Sequence, residues 1–203
     1  MEPPNDIRDL CRAFREGLEK TLADNLFGVY LFGSAAFPDP GSWGDIDFHV
    51  IVRSPLTGDE KAGLYALHES LARDFPGLGG KLDGYYILLD HARRNFPPRS
   101  MMWKEVVDTA WALHREHIRA GRCIALFGPD PREVFPPASW PELREALGEE
   151  LRYVEEHLKE YPGYSVLNLF RLMISHLTGD VVLSKAGAAA WAWKSFPRWR
   201  RLV

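Results

Sequence analysis

The stretch from Leu31 to Val52, LFGSAAFPDPGSWGDIDFHVIV, limits the possible folds more than any other part of the chain. An apolar run, Phe27 to Phe32, stops at Gly33-Ser34, and a second apolar run follows Asp45 about ten residues later. Short apolar runs rich in Val, Ile, Phe and Tyr and bounded by Gly and Pro read as buried strands. A missing Cβ at Gly33 lets phosphate oxygens approach backbone N–H groups, and Ser34 can add its hydroxyl. Strand side chains alternate faces, so Asp45 and Asp47 point one way while Ile46 and Phe48 point into the core. Two neighbouring carboxylates on one face suit Mg²⁺. The competing reading makes Gly33-Ser34 a helix-capping turn and the two acids a solvent-facing strand end.

A third acid is available in KLDGYYILLD, where Asp83 opens an apolar, aromatic run from Tyr85 to Leu89 that reads as a third buried strand. Beside the Asp45–Asp47 strand it completes a carboxylate trio. Such a trio can hold one or two divalent ions against a chain of phosphates, and a remaining oxygen can take the proton of an attacking hydroxyl. Asp90 competes for this place, but it lies further along the run and on the opposite strand face.

The chain's 203 residues, 46% hydrophobic and 12% aromatic, suffice for a sizeable core in one or two compact domains. A formal charge of -3 argues against the clustered basic surface that nucleic-acid binding requires, so template-dependent polymerisation is not expected. Cys11 and Cys123 stand far apart in apolar surroundings and are expected as buried free thiols, which fits a reducing cytoplasm. No apolar run reaches membrane-spanning length and the first residues lack a leader-like apolar core, so neither export nor membrane anchoring is expected. Monomer and dimer both remain open.

Ile7, Leu10, Phe14, Leu18 and Leu22 recur at helical spacing, and Thr57 to Glu60 has the spacing of a capping box ahead of Leu64, Leu67, Leu71 and Phe75. The order helix, strand, strand, helix, strand gives an α/β domain with a small mixed sheet over residues 1–97. Beyond Pro98 the pattern turns to helices with few strand signals, and residues 98–203 are expected to form an all-helical C-terminal domain that completes a cleft for nucleotide and acceptor. Ser139 to Glu142 is a second capping box, Thr178-Gly179 closes a further helix, and Ser184 can cap the last one.

The Gly-Ser turn followed by Asp-x-Asp resembles the DNA polymerase beta-like nucleotidyltransferases. Further stretches, IALFGPDPREVFPPAS and YSVLNLFRLMISHLTGDVVLSKAGAAAWAWKSFP, are similar to the aminoglycoside adenylyltransferases that modify streptomycin and spectinomycin. The resemblance implies transfer of AMP, or another NMP, from ATP or another nucleoside triphosphate to a hydroxyl of a small-molecule acceptor, with Mg²⁺. It assigns Asp45, Asp47 and Asp83 to the metal and the chemistry. Gly33, Ser34, Gly44, Arg171 and Lys185 fall to the nucleotide, the last two as second-domain cations that face the phosphates.

The match has departures. The family's third carboxylate is usually Glu, whereas Asp83 is one methylene shorter, and its usual Ser before the Asp-x-Asp is Gly44, which offers only backbone. One extra residue separates Gly179 from Lys185. Arg152, His157 and Tyr161 stand where the family contacts its antibiotic with tryptophan and aspartate, so the acceptor is not carried over. A catalytically silent nucleotide-binding or antitoxin-like interaction module uses the same residues, as does an enzyme that nucleotidylates a protein or an ordinary metabolite.

On the acceptor side, the glutamates from Glu142 to Glu160 outnumber the cations of the same helix, a surface that suits a polycation but that solvated helices also show. Trp103, Trp111, Tyr161 and Tyr164 can stack on a ring or serve the core. His114 and His117 have a spacing that can bind zinc, yet no further His or Cys partner is evident nearby, which favours a solvated or hydrogen-bonded pair.

Overall fold

The computed structural model describes residues 5–37, 45–102 and 106–202. Helix α1 (Asn5–Leu22) leads into strand β1 (Leu26–Phe32), and β2 (Ile46–Val52) follows. Helix α2 (Gly58–Asp74) connects to β3 (Leu82–Leu88), which a short α3 (Leu89–Ala92) ends. Next come α4 (Trp111–Arg119), β4 (Ile124–Phe127) and the single turn α5 (Pro131–Val134). Three longer helices complete the chain: α6 (Trp140–His157), α7 (Pro162–Thr178) and α8 (Lys185–Ser195).

The four strands form one mixed sheet in the order β3-β2-β1-β4. Strand β1 is antiparallel to β2 and β4, whereas β2 and β3 run parallel across the α2 crossover. Side-chain alternation divides the sheet between two cores. Val29 and Leu31, with Ile46, Phe48, Val50 and Val52, pack under Leu10, Phe14 and Leu18 of α1 and Leu64 and Leu71 of α2. Tyr30, Phe32, Ile51 and Ile87 face the other way, against Trp111 and Ile118 of α4 and Val134 and Phe135. With both faces covered, β1 and β2 need continuous apolar runs, and this is the pattern they show.

Strand β4 lies beyond Pro98, where few strand signals were expected, and it crosses the division drawn at residue 97 to join the sheet edge. Its residues are largely exposed and it is only four residues long, so neither length nor burial pattern marks it in the sequence.

The capping signals are realised. Thr57 Oγ1 accepts from Glu60 N at 3.2 Å while Thr57 N donates to Glu60 Oε2 at 2.7 Å. Ser139 N donates to Glu142 Oε2 at 2.9 Å, Gly179 ends α7 in the left-handed region (φ 75), and Ser184 Oγ accepts from Gly187 N at 2.9 Å. Cys11 and Cys123 are free and half-buried. No helix among the described residues is long and apolar enough to cross a membrane.

Arg115 fastens the helical part to the rest. Its fully buried guanidinium donates to Pro136 O and Pro137 O at 3.2 Å each and to Asn95 O at 3.3 Å, and pairs with Glu142 at the start of α6. Charge and all these donors are satisfied far from solvent, the condition under which a buried arginine is tolerated.

Candidate active site

Strand direction gathers the predicted acids. Because β2 and β3 are parallel, their N-terminal ends lie at the same sheet edge, and antiparallel β1 delivers its C-terminal end there. The register pairs Asp47 with Asp83 across β2 and β3, and Phe32 with Asp47 across β1 and β2. Asp45, just before β2, shares the face of Asp47 through the strand alternation. Asp90 lies elsewhere: it is exposed in α3 and ion-pairs with Arg94 at 2.7 Å, so it is no competitor to Asp83.

Glycine is required at position 33. Its φ of +66 belongs to the left-handed region, and a Cβ there would fall 1.8 Å from Asp47 Oδ2. The turn therefore brings backbone directly onto the carboxylate. Gly33 opens the 3-10 turn Gly33–Ala36, in which Ser34 Oγ donates to the carbonyl of Asp45 at 3.4 Å. That contact ties the Gly-Ser turn to the start of the acid-bearing strand. Gly44, expected beside it, lies outside the described residues.

The carboxylates resist ionising together. Burial pushes the Asp47 carboxyl up to about 6, with Asp83 and Asp45 raising it further while the charges of His114 and Lys185 pull it down. Asp83 is raised by burial and by Asp45, against a hydrogen bond from the Gly84 backbone and the charge of His114. Oxygen donors that repel one another, on one face and at one sheet edge, fit Mg²⁺, which prefers carboxylates completed by water and phosphate oxygens.

The helical part faces this edge with cations. Lys185 follows the Ser184 cap, and its Nζ lies 4.4 Å above the Tyr164 ring. Burial and the neighbouring Arg171 lower its affinity for a proton, whereas Asp47, Asp45 and Glu150 raise it. Arg171 on α7 donates to Asn168 Oδ1 at 3.0 Å and feels the charges of Glu150, Tyr164 and Asp47. The two predicted cations thus share one electrostatic environment with the predicted acids, although they lie more than eighty residues from them in sequence.

Three polar residues at this place were not singled out as site residues in the sequence. Glu150, read only as one glutamate of an acidic helix, acts on Lys185, Arg171, Tyr85, Tyr164 and His114. His49 and Asp108 carried no local pattern at all. His114 was noted with His117, and both are hydrogen-bonded: His114 Nδ1 to Asp108 Oδ2 at 2.8 Å, His117 Nε2 to Val181 O at 2.8 Å. Asp108 holds His114 toward its protonated form, while burial drives His49 and His117 toward neutrality.

Of the aromatic candidates, Trp111 is core. Trp103 lies outside the described residues. Tyr161 and Tyr164 are exposed, and a ladder of rings, Tyr153 on His157 at 4.1 Å and His157 by Tyr161 at 6.3 Å, runs along the end of α6.

Comparison with known proteins gives concordant matches. Residues 133–203 match the family described as aminoglycoside adenylyltransferase, C-terminal domain. Spectinomycin 9-adenylyltransferase of Enterococcus faecalis is 23% identical over 186 residues, a match that covers 81% of this chain and 72% of the relative. The crystal structure of the Enterococcus spectinomycin adenyltransferase AAD(9) with ATP and spectinomycin superposes with a TM-score of 0.75 at 20% identity, covering 96% of this chain and 86% of that one. A complex of a tri-AMPylated Shewanella oneidensis HEPN toxin with its MNT antitoxin matches at a TM-score of only 0.33 and 14% identity, over 74% of this chain and 91% of that one, which is too slight to bear on the fold. With the fold of AAD(9) along nearly its whole length and the family's C-terminal domain over residues 133–203, the chain is an aminoglycoside adenylyltransferase-like protein.

Proposed function

We propose that this protein transfers AMP from ATP to a hydroxyl of an aminoglycoside-type acceptor. The observation that carries the reading is the meeting of Asp45, Asp47 and Asp83 at one sheet edge, against the Gly33 turn and within the field of Lys185 and Arg171. Two relatives support it. One is a spectinomycin 9-adenylyltransferase and the other a spectinomycin adenyltransferase crystallised with ATP and spectinomycin.

In this reading residues 1–97 and 98–203 supply the two walls of the cleft. Asp45, Asp47 and Asp83 hold Mg²⁺, which when bound bridges the phosphates and offsets charge that develops on the departing pyrophosphate. Gly33 and Gly44 present backbone N–H groups to the phosphates and Ser34 adds its hydroxyl. Lys185 and Arg171 stabilise the pyrophosphate from the helical side. The acceptor oxygen bonds to the α-phosphorus as the bond from that phosphorus to the pyrophosphate oxygen breaks. Asp83 takes the acceptor's proton. Its shorter side chain places the accepting oxygen closer to β3 than a glutamate would, so the acceptor hydroxyl has to come nearer the sheet. Glu150 and the neighbouring acidic residues of α6 give an amine-bearing acceptor a complementary charge.

The test is a pyrophosphate-release screen with each of the four common ribonucleoside triphosphates against spectinomycin, streptomycin and other aminoglycosides, with nucleosides and proteins as further acceptors. ATP-dependent release with an aminoglycoside-type acceptor is expected. Mg²⁺-dependent ATP binding without release across the whole panel would instead identify a binding module without turnover.

A further inference from the structure

Behind the carboxylate trio lies a second polar cluster with a different ligand chemistry. His49 follows Asp47 by one strand repeat on β2, and its ring is enclosed by Phe32, Tyr85, Trp111 and Phe135. Asp108, just ahead of α4, is 1% exposed and His49 is 0% exposed. His114 reaches in from the first turn of α4 and is 27% exposed. Its Nδ1 lies 2.8 Å from Asp108 Oδ2, and His49 Nε2 lies 3.4 Å from that same oxygen. One ligand atom from each residue falls within 4.8 Å of the other two.

Hydrogen bonding accounts for only part of this arrangement. The His114 to Asp108 contact is well formed. Neither ring nitrogen of His49 has a hydrogen-bond partner, although the side chain is fully enclosed. An unsatisfied buried polar nitrogen costs about 1–3 kcal/mol, and in a native protein it calls for a partner such as an ion. His49 Nε2 is aimed at the oxygen that His114 already engages, so two imidazoles converge on one carboxylate.

We propose that His49, Asp108 and His114 bind a transition-metal ion, zinc by ligand type, that pins β2 to α4 beneath the nucleotide cleft. Two imidazoles and a carboxylate are common zinc ligands, each about 2.0–2.2 Å from the ion, which sets neighbouring ligand atoms roughly 3.3–3.5 Å apart in a tetrahedron. The His49 to Asp108 spacing of 3.4 Å already meets this. The His114 to Asp108 pair has to open by roughly half an ångström, with the metal replacing the shared proton. Water completes the fourth position from the partly exposed His114 side. The all-oxygen trio of Asp45, Asp47 and Asp83 selects the harder Mg²⁺, so the two sites separate by ligand type.

Cobalt(II) replaces zinc in such sites and reports its coordination in the visible spectrum. The full chain, stripped with a chelator and dialysed against Co²⁺, is expected to take up one zinc-displaceable equivalent with a visible d–d band and to melt at a higher temperature than the stripped protein. His114→Ala and Asp108→Asn are expected to weaken cobalt binding by roughly a hundred-fold or more, and the Asp45→Ala/Asp83→Ala double variant to leave the band in place. Circular dichroism checks that each variant is folded; if Asp108→Asn fails to fold, His114→Ala, at the partly exposed ligand, decides. The proposal is overturned if the folded wild-type chain shows no such band, if the band survives His114→Ala, or if it disappears with the carboxylate trio. Pyrophosphate release plays no part in this readout, so the site stands or falls separately from the proposed reaction.

Discussion

Asp47 occupies a position that works against folding. Its carboxyl is raised from 3.8 to about 6, first by burial and then by its acidic neighbours. The folded chain therefore binds a proton there that the unfolded chain has already released, and stability falls as pH rises from about 4 to about 6. Asp47→Asn is expected to raise stability by about 1–3 kcal/mol above pH 6 and by nothing below pH 4, while removing AMP transfer. Urea unfolding at several pH values checks this. Gly33→Ala places a methyl group against Asp47 Oδ2 in a left-handed turn, so ATP binding should weaken by ten-fold or more with the fold retained. Calorimetry reads that loss. At this scale the three acids were legible because strand alternation and spacing are local properties. Glu150, His49 and Asp108 were not, since each matters only through neighbours that the chain brings in from far away.

The elements rest on end signals and a few buried polar anchors. Thr57 and Glu60 close α2 with reciprocal bonds, and their residue types and spacing were enough to announce it. Strand β4 shows the opposite case: four mostly exposed residues become a strand because β1 offers an open edge, and no local pattern records that edge. Arg115 was equally silent, one arginine among many, yet it holds residues 95, 136 and 137 and the start of α6 together. Arg115→Ala should cost about 3–5 kcal/mol, because it leaves several carbonyls and Glu142 without their donor. Thr57→Ala should cost only about 1 kcal/mol. Thermal denaturation of the two variants compares these magnitudes directly.

Across the whole molecule, the helical half supplies what the sheet edge lacks. Three carboxylates at one edge repel phosphates until cations intervene, and Lys185 with Arg171 brings positive charge from α8 and α7 toward them. Helical periodicity announced those helices. Their place opposite the acids came from family resemblance, since nothing local to Lys185 or Arg171 says what they face. Lys185→Ala should raise the KM for ATP and lower kcat/KM by about ten- to a hundred-fold while unfolding at nearly the wild-type temperature, because the side chain leaves one exposed ring and a solvated cleft behind. Steady-state kinetics at varied ATP measures this.

The central claim is that the trio at the sheet edge performs AMP transfer to an aminoglycoside-type acceptor. Mass spectrometry of acceptor incubated with ATP, Mg²⁺ and either the wild-type chain or Asp83→Ala tests it most directly. An AMP adduct with the wild-type protein, absent with a folded Asp83→Ala variant that still binds ATP, is the predicted result. Equal adduct formation by both proteins would contradict it.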